Sequence, residues 1–140
     1  MTGKPEAVIV CGVDGSGHAG TAVRIAAELA RAWGLCLVLV AVNPLSPASG
    51  YPDIRGWTPA EQDDLLASAA RTARRLGAEV RCVATEARDP AAALIDCAVR
   101  EGADHIVVGT GDRKGLGEWL MGSVARAVAA RAPVSVTIAR

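Results

Sequence analysis

Apolar residues arrive in this chain in two rhythms. Short continuous runs, Ala7–Val13 (AVIVCGV) and Leu35–Val42 (LCLVLVAV), have the length and branched content of strands buried on both faces. Between them, apolar residues recur at helical spacing, as Val23, Ala26, Ala27, Ala30 and Trp33 do within His18–Trp33. Polar and glycine residues punctuate the two. Asp14-Gly15-Ser16-Gly17 breaks the first strand, and Gly34 closes the first helix. Thr58-Pro59-Ala60-Glu61 reads as a capping box with Pro at the first helical position, opening a helix that runs to Leu76, with Gly77 beyond. Glu79–Thr85 is a third strand, more polar and so nearer an edge. Asp89-Pro90 caps a helix reaching Arg100, and His105–Val108 is a fourth strand. Ser123–Arg131 is the last helix, stopped by Pro133, and Val134–Ala139 (VSVTIA) is a final, alternating strand. Asn43–Trp57, with three prolines and two glycines, reads as the longest irregular loop.

The order is therefore β-α-β-α-β-α-β-α-β. Strands separated by helices need crossovers, which predicts an α/β fold: a parallel open sheet with helices on both faces and right-handed connections. No linker or repeat interrupts the 140 residues, so a single domain is expected. In such sheets ligands bind beyond the carboxyl ends of the strands, where strand order reverses. If the first and fourth strands are neighbours, Asp14–Gly17 and Gly109–Ser123 share one rim.

Composition narrows the partners. Lys+Arg and Asp+Glu are equal at 15 each, which supplies no general drive toward nucleic acid or an acidic membrane. No secretory signal is read at the start, and no apolar run reaches the roughly 20 residues of a membrane span, so a cytoplasmic protein is expected. Aromatics are 3% and Phe is absent, so the core must be built from Ala, Val, Leu and Ile. Cys11, Cys36, Cys82 and Cys97 show no metal or redox spacing and read as buried, reduced thiols. His18 and His105 stand apart from any partner constellation.

The richest chemistry lies in Gly109–Ser123 (GTGDRKGLGEWLMGS). A buried strand, a glycine-rich loop and a helix start are what a phosphate-binding turn needs, because free N–H groups at the helix start attract anions. Gly122-Ser123 also suits a plain helix cap, with Ser as N-cap. Asp14 fits an Asx turn or an N-cap for the first helix, and equally a carboxylate accepting ribose hydroxyls or holding a cation. Asp112 is the awkward residue. Were its carboxylate to face a triphosphate at about 4 Å, repulsion of roughly 1–4 kcal/mol would follow. It can instead face solvent or pair with Arg113 or Lys114, which read mainly as solvated loop charges. Trp119 reads as packing beneath the loop.

The residues carrying these features resemble the universal stress protein family over nearly the whole chain. The resemblance lies in Val-Ile-Val-Cys-Gly-Val-Asp-Gly-Ser near the start, Ala-Asp-His-Ile-Val-Val-Gly-Thr, Leu-Met-Gly-Ser-Val-Ala-Arg-Ala-Val, and Ala-Pro-Val-Ser-Val-Thr-Ile near the end. It implies a five-stranded sheet of order 3-2-1-4-5. ATP-binding members carry Gly, two residues, Gly, nine residues, Gly, then Ser or Thr. Gly109, Gly122 and Ser123 match; Asp112 replaces the second glycine, and Gly111 lies one place early. By the same resemblance Asp14 sits at the nucleotide, the Val42 backbone meets the adenine edge, and Gly12 lies near the base. Val13 and Val124 adjoin these positions and complete the expected ligand set. Arg88 stands where a glycine often precedes the Asp-Pro pair.

Three functions stay open on this reading. The first is a stress-response protein that binds ATP, with Mg2+, without rapid turnover. The second is a dimeric interaction module that has lost nucleotide binding through Asp112. The third is an α/β ATP-splitting enzyme, for which no general base or nucleophile is identifiable. An exposed apolar edge at Val134–Ala139 suits strand pairing between copies, and the resemblance points the same way, so a homodimer is expected.

Overall fold

The computed structural model describes residues 7–110 and 122–140. Their order is β1 (Val8–Gly12), α1 (Gly17–Trp33), β2 (Cys36–Ala48), β3 (Tyr51–Arg55), α2 (Pro59–Arg75), β4 (Val80–Ala87), α3 (Pro90–Glu101), β5 (Ala103–Gly109), α4 (Ser123–Arg131) and β6 (Ser135–Ala139). The parallel strands pair in the order β4-β2-β1-β5-β6, which is the expected 3-2-1-4-5 arrangement with one strand added to the count. Strand order reverses between β1 and its two neighbours, so the rim above β1 and β5 is the place for a ligand.

The added strand corrects the reading of Asn43–Trp57 as irregular. β2 continues to Ala48, turns at Ser49-Gly50, and returns antiparallel as β3. Register runs Leu45↔Arg55, Ser46↔Ile54 and Ala48↔Tyr51, shifting between Ser46 and Ala48, so Pro47 falls in the irregularity. A proline there gives up no ladder bond, and prolines are tolerated at bulges and in outer strands. Gly50 takes φ 73°, a left-handed turn position. Counting prolines and glycines missed a hairpin whose breakers sit at its tolerant positions.

Two apolar layers flank the sheet. On one face Ile9, Cys11, Leu37, Leu39 and Val107 meet α1 and α2. On the other, Val8, Val10, Val38, Ile106 and Val108 meet α3 and α4. The alternation follows from side chains pointing to opposite faces along each strand. Helix α1 buries Ala22, Ala26, Ala27 and Ala30, small residues that seat it close on the sheet without any Phe. Three polar residues are buried among the described residues: Asn43, Gln62 and Thr110. Gln62 donates to the carbonyls of Ala41 (2.8 Å) and Thr85 (2.9 Å), tying β2 to β4. Asn43, 1% exposed, brackets the backbone of Trp57, donating to its carbonyl (2.8 Å) and accepting from its N–H (3.0 Å).

The helix signals work as their chemistry requires. Thr58 and Glu61 form the reciprocal capping box of α2. Asp89 caps α3 by accepting from Ala92 N. Gly34 and Gly102 close α1 and α3 in left-handed geometry. Cys11, Cys36 and Cys97 are buried as expected; Cys82 is exposed, a correction that follows from its place on β4, which pairs only with β2 among the described strands. His105 bonds Thr137 Oγ1 through Nε2 (2.6 Å) and meets the Trp33 ring edge-on, and burial pushes its pKa down. Among the described residues no helix is long and apolar enough to cross a membrane.

Candidate functional site

The turn after β1 is closed by local bonds. Asp14 Oδ1 accepts from Ser16 N at 2.9 Å, an Asx turn, and Ser16 Oγ accepts from Ala19 N at 3.0 Å. Ser16, with extended φ −75° and ψ 162°, is the N-cap of α1. The alternative of Asp14 as N-cap is thereby corrected: its carboxylate shapes the turn one step earlier, and the hydroxyl two residues on reaches the helix. Gly15 takes φ 81°, and a Cβ there would stand 2.9 Å from Leu65 Cδ2, so both backbone and packing favour glycine. Asp14 itself is exposed at the rim. Its charge, after burial as the first cause, helps push the Cys11 thiol up to about 12, which keeps that cysteine protonated and inert.

At the end of β5 the chain is held by two backbone bonds. Thr110 N donates to Ala139 O on β6 (2.9 Å), and Thr110 O accepts from Gly122 N (2.6 Å). Gly122 is the N-cap of α4, with extended φ −63° and ψ 160°. Ser123 is therefore the first residue of the helix, a correction to its reading as the cap. A glycine cap brings no side chain, so the backbone of the first turn stands open at the rim. The first N–H groups of a helix lack intrahelical acceptors, and the peptide dipoles add positive potential there.

These two turns bound one cleft of about 320 Å³. β1 and its turn supply Gly12, Val13 and Asp14; β2 supplies Val42; the end of β5 supplies Gly109; the start of α4 supplies Gly122, Ser123 and Val124. The structure thus brings these sequence-derived candidates together. Gly111 and Asp112 lie outside the described residues, as do Arg113, Lys114 and Trp119.

Sequence reasoning missed part of the wall. Val40 and Val108 line the floor beside Val42 and Gly109, and Pro90 and Leu94 form a side wall from α3, with Ala19, Thr110 and Ala125 also contributing. The available signals were period two from Val42 back to Val40, and the i, i+4 spacing of Pro90 and Leu94 behind a capped helix start at the same rim. Arg88 forms a two-pronged ion pair with Asp53 of the hairpin (2.8 and 2.7 Å). Asp89 pairs with Arg131 at the far end of α4 (3.1 Å), linking the two helices that supply opposite walls. Chemically the cleft offers an apolar slot, a carboxylate and a row of backbone donors. Among the described residues no cluster of three or more His, Cys, Asp or Glu side chains could hold a metal.

The universal stress protein family model matches residues 7–140. The chain belongs to the universal stress protein family. A universal stress protein of Thermus aquaticus, described as in the QAH/OAS sulfhydrylase 3′ region, is 30% identical over 141 positions, covering 94% of this chain and 97% of that protein. The universal stress protein of Archaeoglobus fulgidus solved in complex with dAMP is 27% identical, covers 98% of this chain and 100% of its own, and superposes with a TM-score of 0.76. A universal stress protein solved in complex with cAMP is 26% identical, covers 98% of each chain, and superposes at 0.75. As a universal stress protein, the chain carries the family's α/β sheet with helices on both faces, and the resemblance read from its motifs agrees with its family.

Proposed function

We propose that this universal stress protein binds an adenine nucleotide in the cleft between β1, β5 and α4, holding it without rapid turnover as part of a stress response. One observation carries the reading: the glycine-bearing turn after β1 and the glycine-capped start of α4 line the same cavity of about 320 Å³. An apolar slot receives a base, Asp14 accepts from ribose hydroxyls, and the N–H groups opened by Gly122 donate to a phosphate. The relatives solved with dAMP and cAMP support the choice of adenine nucleotides. Asp14 is also the side chain that would face a Mg2+ carried in with ATP. Titration calorimetry with ATP, dAMP and cAMP, with and without Mg2+, tests the reading; no heat and no thermal shift at millimolar ligand would sink it.

The contrary reading is an interaction module closed to nucleotides by Asp112. Asp112→Gly separates the two. A gain of ATP binding from nothing supports closure; equal binding by both forms rejects it. In either reading we propose a homodimer through β6, which pairs only with β5 among the described strands and alternates Val136 and Ile138 with Ser135 and Thr137. Light scattering that gives a monomer mass at micromolar concentration rejects the dimer.

A further inference from the structure

We propose that His105 is a proton-operated latch at the margin of the sheet: neutral, it ties Trp33 to β6, and protonated, it lets both go. His105 stands near the start of β5, with its Nε2 2.6 Å from Thr137 Oγ1 on β6. Its ring meets that of Trp33, the last residue of α1, with centroids 5.6 Å apart and planes at 69°. One imidazole thus joins a helix end to a strand that pairs only with β5 among the described strands.

The elements around the ring present it no charge. β1, which pairs Ile9 beside it, and β6 contain no charged residue. On α1, Arg24, Glu28 and Arg31 all lie more than about 130° around the helix from Trp33. On β5 itself, Asp104 points to the opposite face because side chains alternate. Burial accordingly pushes the imidazole pKa below its ordinary 6.5. A neutral imidazole has one donor and one acceptor, and a hydroxyl completes a bond with Nε2. Protonation makes both nitrogens donors and adds a charge that favours water. The ring is half-buried and Trp33 is 51% exposed, so a rotation of the side chain reaches solvent. That rotation breaks the Thr137 bond and the indole contact together. Acidification is then a signal that the fold itself registers, whatever fills the cleft.

The experiment is an NMR titration of the full chain between about pH 8 and 5, reading the His105 ring, the Trp33 indole N–H and the Thr137 amide. The three are expected to move together, with one midpoint below 6.5. His105→Gln should abolish the movement at Trp33 and Thr137. His18→Gln should leave it, since His18 and Trp33 stand about 22 Å apart along α1. Thr137→Val strips a bond that only the neutral, latched form makes, so the His105 midpoint should rise toward 6.5. A midpoint that stays or falls means the charged ring remains in place, and overturns the inference. So does a wild-type midpoint above 6.5, where the indole would be holding the cation. Trp33 and Thr137 signals that ignore the His105 midpoint, or that still move in His105→Gln, overturn it as well. Should thermal melts show His105→Gln unfolded, the wild type and Thr137→Val decide.

Discussion

Two segments leave the same edge of the sheet and are built in opposite ways. The turn after β1 is four residues long and closed by its own side chains, Asp14 to Ser16 N and Ser16 to Ala19 N. The hairpin after β2 is held by partners far along the chain: Asn43 with Trp57, Arg55 with Glu86, and Asp53 with Arg88. The first lines the cleft, while beyond Val42 the hairpin contributes nothing to it. Local closure places a turn accurately for a ligand with few residues. Long-range anchoring lets an extended arm stand off the sheet and present Tyr51, 79% exposed, and Ile54 to solvent.

The largest effect that would break this contrast is at the hairpin root. Asn43→Ala leaves the Trp57 N–H and carbonyl without their buried partner, a loss of about 2–3 kcal/mol in urea unfolding. Ligand affinity should be unchanged, because the anchor lies outside the cleft. If affinity falls with stability, the hairpin is coupled to the site and the contrast fails.

Next is Gly15→Ala, which forces a Cβ into left-handed backbone against Leu65. About 1–2 kcal/mol of stability should go, and nucleotide affinity with it, since the turn carries Asp14. Ser16→Ala removes the cap of α1 and should cost about 1 kcal/mol, with a smaller drop in affinity. Both are read by chemical denaturation alongside calorimetry.

The smallest effect belongs to the exposed ion pairs bracing the hairpin. Arg88 lowers the Asp53 pKa below its usual 3.8, first through their hydrogen bond. A lowered folded-state pKa means the contribution is present above 3.8 and is lost as pH falls through the folded value. Arg88→Ala should therefore leave the neutral-pH melting temperature nearly unchanged and flatten its acid dependence. High salt should mimic the substitution.

The contrast also explains what could be read from sequence. Asp14, Thr58, Glu61 and Asp89 act on residues two or three positions away, so their spacing revealed their work, whereas the cap at Ser16 went unread beside Asp14. The buried runs at Val8–Gly12 and Cys36–Ala41 were equally plain, because continuous apolar strands need cover on both faces. The hairpin was hidden because its prolines announce a loop, whereas its bonds reach Glu86 and Arg88, some thirty residues on. At the site, the glycines and Asp14 were legible from motif and turn chemistry. Leu94 was not: in the sequence it is one more apolar residue on a helix, and only the fold brings it to the wall of the cleft.

Thr110 has a consequence of another kind. Its N–H is tied to β6, the outermost described strand on that side, and its carbonyl to the glycine that caps α4, and it is wholly buried. One residue thus serves as a rivet joining the margin of the sheet to the mouth of the cleft. The two cannot drift apart without breaking a bond in the interior, so whatever steadies one steadies the other.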